Sequence, residues 1–271
     1  MTDADQAGAA AYEALDEGVH RIRLADGRGA FVKVGRRKPA GFFAAEARGL
    51  EALRAAGVLR VPAVYWFDET GISLEDLGAG RPSARDWEHA GRGLARLHRH
   101  AGAQFGFGHD GWCGDSPQDN TNDCDGFRFF AERRLLPQGR RAFDGGRLDR
   151  RDLAHLEAVC ARLGDLMPER PPVLVHGDLW SGNLHACADG GLALIDGGAV
   201  HHGWAEGDLA MLTQFGAPPE ALFAAYESEA CIDSSWRTRA PVLNLYHLLN
   251  HLNLFGAGYR GAVREVLARH G

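Results

Sequence analysis

The sequence predicts an α+β protein in two lobes: a small antiparallel sheet carrying one helix, then a larger, mainly helical lobe. Two observations predict it. Up to about residue 77, apolar residues come in short runs broken by turn residues, and beyond it they recur mostly at helical spacing. Between the two regimes lies Gly78-Ala79-Gly80-Arg81-Pro82, which supports neither helix nor strand and reads as a hinge. The lobes are accordingly placed at 1–77, for a nucleotide, and 78–271, for catalysis and substrate. A chain of 271 residues, 45% of them apolar and 24% charged, is long enough for two lobes sharing a cleft.

In chain order, residues 19–24 and 31–34 read as strands around Asp26-Gly27, a pair suited to a hairpin turn. Residues 42–55 are rich in helix formers and set Phe43, Ala47, Leu50 and Leu53 at helical spacing. Gly57 stops that helix, and 61–67 with 71–77 form a second hairpin. Ser83 is a candidate cap for a helix over 86–100. Residues 102–126 are glycine-rich and polar without periodicity, so a long loop is expected there, and loops of that length in compact domains are usually functional. Helices are expected over 127–136, 148–166, 206–215, 219–230, 236–255 and 262–270, with short strands at 173–175 and 192–195.

Composition narrows the function classes. With 30 basic and 36 acidic residues the net charge is −6, which argues against a nucleic-acid binder. No apolar run approaches the roughly 18 residues of a membrane span, so no membrane partner is expected. Met1-Thr2-Asp3-Ala4-Asp5 lacks the basic and apolar regions of a signal peptide, and a cytoplasmic monomer is expected. The cysteines, Cys113, Cys124, Cys160, Cys187 and Cys231, are odd in number and scattered, which fits free thiols in a reducing compartment. Of the 30 basic residues only Lys33 and Lys38 are lysine. Lys33 sits in the apolar run Ala30-Phe31-Val32-Lys33-Val34, where a compact ammonium suits a point contact such as phosphate. A stem that snorkels to the surface explains it equally well.

The densest polar cluster in an apolar setting is His176-Gly177-Asp178-Leu179-Trp180-Ser181-Gly182-Asn183, fed by the 173–175 strand. The second strand delivers Asp196, followed by Gly197-Gly198. Two carboxylates and an amide thus stand at the ends of two strands. Mg²⁺ takes oxygen ligands, usually one or two carboxylates plus substrate phosphates, and an acid left off the metal can accept a proton from a hydroxyl. Asp178, Asn183 and Asp196 match in type and order the catalytic Asp, the Asn five residues beyond it and the metal-binding Asp of protein kinases. His-Gly-Asp stands for His-Arg-Asp, and Asp-Gly-Gly for Asp-Phe-Gly. Each residue alone is also an ordinary cap or turn residue.

Lys33 and Glu46 complete the set, since in that template a strand Lys meets the nucleotide phosphates and a helix Glu fixes its reach. Glu75-Asp76-Leu77, just before the hinge, occupies the place of an adenine-binding segment, which would act through its backbone N–H and C=O groups. No G-x-x-x-x-G-K-[ST] loop occurs. His201-His202 reads as a pair of loop hydrogen-bonding groups rather than a metal site. Asn244, His247, Asn250, His251 and Asn253 either line a substrate pocket or are satisfied core groups. Asp208 either braces the catalytic loop through its N–H groups or simply opens a helix.

The run His176–Asn183 closely resembles the catalytic loop of the fructosamine kinase (ketosamine 3-kinase) family. The resemblance continues in Phe31-Val32-Lys33, Phe42-Phe43-Ala44-Ala45-Glu46-Ala47, the 129–138 and 244–256 runs, Leu194-Ile195-Asp196 and Asp208-Leu209-Ala210-Met211, nearly the whole chain. Trp180-Ser181-Gly182-Asn183 and the Asn/His-rich run separate it from aminoglycoside and choline kinases. The resemblance implies a protein-kinase-like fold, ATP and Mg²⁺, and phosphorylation of the third-carbon hydroxyl of a free or protein-bound ketosamine. The phosphorylated adduct then falls off and frees the amine. Carried over by position, Asp178 is the base, Asn183 and Asp196 hold Mg²⁺, and Lys33 contacts phosphate with Glu46 behind it. Three departures stand out. Leu15-Asp16-Glu17-Gly18-Val19-His20 holds one Gly where a Gly-Gly pair is usual, which bears on nucleotide affinity. Asp196-Gly197-Gly198 and His201-His202 replace the usual Asp-Pro-Ala and paired Tyr, which implies a shifted substrate preference. No thiol sits in the nucleotide loop, so no disulfide switch is expected there. The alternatives are an aminoglycoside or amino-alcohol kinase, for which Asp110, Asp115, Asp119, Asp123 and Asp125 would gather acids, and a non-catalytic nucleotide-binding module.

Overall fold

A computed structural model of the chain describes residues 15–271; the Met1–Asp5 reading lies outside them. Four antiparallel strands, β1 (Gly18–Arg23), β2 (Gly29–Val34), β3 (Val64–Phe67) and β4 (Gly71–Glu75), form a sheet in the order β1-β2-β4-β3. The period of two in β2 decides what faces where. Ala30, Val32 and Val34 turn into a small apolar cluster, while Phe31 and Lys33 face a cleft. Helix α1 (Phe42–Ala55) lies against this sheet with Phe43, Ala47, Leu50 and Leu53 buried. These join a core that continues into the second lobe through Leu94, Leu194 and Leu222.

Ser83 caps α2 (Ala84–Leu97) in a reciprocal box with Asp86. The hinge glycines serve close packing: a Cβ at Gly80 would lie 2.0 Å from Cys187 O, and at Gly78 2.5 Å from the Ala188 Cβ. The expected loop over 102–126 is corrected in part. It contains a hairpin of β5 (Gly111–Cys113) and β6 (Ser116–Gln118), whose strands are too short and too rich in Gly and Pro for any period to show. The helix expected over 127–136 runs on to residue 144. Helix α3 (Gly126–Phe130) passes through a π-helical turn (Ala131–Leu135) into α4 (Leu136–Asp144), and Pro137 sits in the first turn of α4, where its missing N–H costs little. The span expected over 148–166 breaks at Arg162 into α5 (Arg150–Ala161) and α6 (Leu163–Leu166).

Strands β7 (Val173–Val175), β8 (Leu184–Ala186), β9 (Leu192–Leu194) and β10 (His201–Gly203) form two antiparallel pairs, β7 with β10 and β8 with β9. His201-His202 therefore lies in a strand, not on a loop, because its backbone completes the β7 ladder. Helices α7 (Ala205–Leu212), α8 (Glu220–Ala230), α9 (Trp236–Phe255) and α10 (Arg260–His270) close the lobe. Asn244, Asn250 and Asn253 donate from Nδ2 to the carbonyls of Ala210, Cys113 and Gln138, tying α9 to its neighbours.

Candidate active site

The loop after β7 turns at Gly177, whose φ is +81° and where a Cβ would lie 2.2 Å from Ala199 O, so only glycine fits. Buried His176 donates from Nε2 to Ile195 O at 2.7 Å, bonding this loop to the strand that carries Asp196. Asp208, in the first turn of α7, accepts from His176 N at 2.8 Å and Gly177 N at 2.9 Å. This is the bracing arrangement that the sequence suggested. A third bond comes from His98 Nε2 at 3.2 Å, while the Tyr226 hydroxyl donates to His98 Nδ1 at 2.7 Å. Burial works against the Asp208 charge, but these donors outweigh it and hold the carboxyl below its usual range.

Asp178, one residue past the turn, is different. Burial pushes its carboxyl up to about 6, with Asp196 and Asp208 adding repulsion against the pull of His176. Its near neighbour His247 Nδ1 stands 3.7 Å from Oδ1, beyond hydrogen-bond length. Asn183 donates from Nδ2 to the Asp178 carbonyl at 2.8 Å, which locks the loop and turns the amide oxygen away from it.

Asp196 sits at φ 61°, a left-handed conformation that throws its carboxylate toward β2, where Lys33 meets it. Lys33 Nζ also donates to Glu46 Oε1 at 2.7 Å. Burial opposes the Lys33 charge, yet the two carboxylates outweigh it and hold the ammonium firmly protonated. Glu46 is itself buried, and desolvation pushes its carboxyl upward against the pull of Lys33. The helix and the turn that carry these two acids touch through backbone: a Cβ at Gly49 would lie 1.9 Å from Gly197 O.

A cleft of about 350 Å³ opens between the lobes, lined by Phe31, Lys33, Leu74, Leu77, Ile195 and Asp196 among others. The 75–77 segment forms part of its wall. Glu75 is anchored by Arg60 Nη2 at 3.0 Å and Ala63 N at 3.1 Å, and Asp76 accepts from Arg21 Nε at 3.2 Å and Gly78 N at 2.9 Å. The Leu77 carbonyl is taken by Ala188 N at 2.9 Å, and Asp76 N donates to Gly29 O at 3.3 Å. Asp196 meets Lys33, and the Asn183 carbonyl accepts from Ile195 N at 3.2 Å, one residue before Asp196; carboxylate and amide oxygens are the donors a hard cation takes.

The structure thus brings Lys33, Glu46 and Asp196 into contact, joins Asp178 to Asn183 through the loop, and lines the same cleft with 75–77. The acids of 102–126 do not gather for a polycation. Asp115 pairs with Lys38, Asp119 with Arg133 and Asp123 with Arg128, Asp125 caps α3, and Asp110 accepts from Asn120 N. His201 is buried, donates from Nδ1 to Ala199 O, and is pushed down to about 3 by desolvation, so it works as a neutral structural group. One neighbour of Asp178 escaped the sequence reading. Cys113, on β5, lies beside His247, and nothing local in the sequence signals that a lone thiol comes close to Asp178.

The fructosamine kinase family model matches residues 15–270. A protein of Synechocystis sp., provisionally named a ketoamine kinase, is 38% identical over 88% of this chain and 81% of its own length. The protein-ribulosamine 3-kinase of Arabidopsis thaliana chloroplasts is 32% identical over 88% of this chain and 74% of its own. A crystal structure from Thermobifida fusca, whose protein carries a provisional fructosamine-3-kinase name, superposes with a TM-score of 0.86 at 38% identity, covering 92% of this chain and 88% of that one. A kinase-like pair of lobes, a Lys–Glu pair facing an Asp-bearing turn, and a match along almost the whole described length converge on one assignment: this chain belongs to the fructosamine kinase family of ATP-dependent phosphotransferases.

Proposed function

We propose that the chain transfers the γ-phosphoryl group of ATP to the third-carbon hydroxyl of a ketosamine, with Asp178 as the base. The observation that carries this reading is Asp178 itself: a part-buried carboxyl raised to about 6, held on a braced loop beside the Lys33–Glu46–Asp196 group. A base poised near neutral pH combines a large ionised fraction with a strong pull on the hydroxyl proton. In this reading Lys33 holds the nucleotide phosphates, and Glu46 keeps its stem from swinging away. The Leu77 N–H and Asp76 C=O are the backbone groups of the 75–77 segment offered to the adenine. Asn183 and Asp196 would hold Mg²⁺, which supplies charge neutralisation at the phosphates when bound. Asp178 takes the hydroxyl proton as the oxygen attacks, and the product is a ketosamine phosphate that falls away from its amine. The names of the relatives support the ketosamine. The local pairing of the 110–125 acids weighs against a polycationic aminoglycoside.

In this proposal the 1–77 lobe serves the nucleotide and the 78–271 lobe catalysis and the acceptor, and the protein acts as a cytoplasmic monomer on a small or protein-bound adduct. No helix among the described residues is long and apolar enough to cross a membrane. The test is phosphorylation of synthetic ribulosamine and fructosamine beside kanamycin and choline, with the phosphate position read by NMR. Preferential turnover of a ketosamine at its third carbon is expected. Preference for kanamycin or choline, or nucleotide binding without transfer, refutes the assignment.

A further inference from the structure

Behind Asp178 lies a donor set that phosphoryl transfer does not use. Cys113 Sγ is 3.8 Å from His247 Nδ1, and that nitrogen is 3.7 Å from Asp178 Oδ1. All three donor atoms lie within 4.8 Å of one another. One sulfur, one imidazole nitrogen and one carboxylate oxygen make a three-ligand set of the kind that binds zinc and leaves a fourth position open. Zinc bonds of about 2.0–2.3 Å in a tetrahedron hold neighbouring donors about 3.3–3.6 Å apart. The two His247 pairs therefore need to close only slightly. Asn250 Nδ2 stands 3.3 Å from Cys113 Sγ, a contact able to steady a thiolate and its orientation. Access runs through the base: Cys113 is 1% exposed, whereas the Asp178 side chain is 24% exposed.

We propose that Cys113, His247 and Asp178 form a binding site for zinc or a similar borderline-soft divalent cation, and that its occupancy inhibits the enzyme by capturing the base. The inhibitory half rests on Asp178 being the base; the binding half does not. On binding, the Cys113 thiol passes its proton to the buffer as the sulfur–metal bond forms. Selectivity against magnesium follows from ligand softness, because the Asn183–Asp196 pair offers oxygen alone.

Cobalt(II) is the optical probe, added to the full chain without nucleotide or substrate. A thiolate-to-cobalt charge-transfer band in the near ultraviolet is expected for the wild type and lost in Cys113→Ser. No band in the wild type, or a band that survives the substitution, overturns the site. This measurement stands whichever acceptor the enzyme phosphorylates, and its wild-type arm needs no variant to fold. Zinc titrated into the transfer assay at saturating ATP and magnesium should inhibit the wild type at a concentration about 100-fold below that needed for Cys113→Ser, which keeps its metal-free turnover. Equal zinc sensitivity of the two proteins overturns the inhibitory half.

Discussion

Asp178 sits on the loop after β7 and Asp208 braces that loop from α7; the Asp208 side chain is 1% exposed and that of Asp178 24%. Asp208 accepts three N–H groups and is held below its usual range, whereas the Asp178 carboxyl, with His247 only at 3.7 Å, rises to about 6. Desolvation works against both charges. Hydrogen bonding separates a carboxylate that holds structure from the one proposed as the base.

The strongest way to break this comparison is Asp178→Asn, expected to lower kcat by about 10²–10⁴-fold while leaving ATP binding largely intact. The same variant should be more heat-stable. A carboxyl raised on folding from 3.8 to about 6 binds its proton more tightly in the folded state, so its contribution to stability is present below about pH 4 and lost as pH rises through 6. At pH 7.5 the buried charge then costs up to about 3 kcal/mol, which the amide relieves. A lower Tm would mean that the carboxylate is well bonded after all. Next in size is Lys33→Arg, where a planar fork replaces a point contact; turnover should fall by about 10²–10³-fold, and near-normal turnover would refute the phosphate role.

Asp208→Asn sharpens the other side. An amide facing three N–H donors must leave one unmatched, and a loss of about 1–3 kcal/mol in chemical denaturation is expected, with turnover falling as the loop loosens. A smaller effect is pH: kcat should rise about tenfold per pH unit below the Asp178 value and level off above about 6. A flat profile from pH 5 to 8 contradicts the raised carboxyl. The smallest is Ser83→Ala, which removes a helix cap far from this loop; about 1 kcal/mol of stability should go without a change in kcat.

Much of this was readable because the chemistry is local in sequence. Asp178 and Asn183 share one loop, Asp196 ends the strand beside it, and Lys33 stood out as a lysine among arginines in an apolar run. The sheet lobe and α9 were likewise set by clear periodicity. What escaped depended on distant partners. The β5–β6 hairpin has strands of three residues, below the length at which alternation shows, and it is ordered by α1 and α9, through Trp112 against Phe42 and Asn250 on the Cys113 carbonyl. The place of Cys113 beside Asp178 is invisible for the same reason, since its neighbour His247 lies 134 residues away. His201-His202 was misread because a three-residue strand gains its identity from its partner β7.

The contact between Gly49 and Gly197 has a broader consequence. Backbone pressed on backbone leaves no slack for α1 to rotate outward on its own, so Glu46 and Asp196 travel as one block. A side chain at Gly49 would wedge that seam open and part Glu46 from Asp196 in one step.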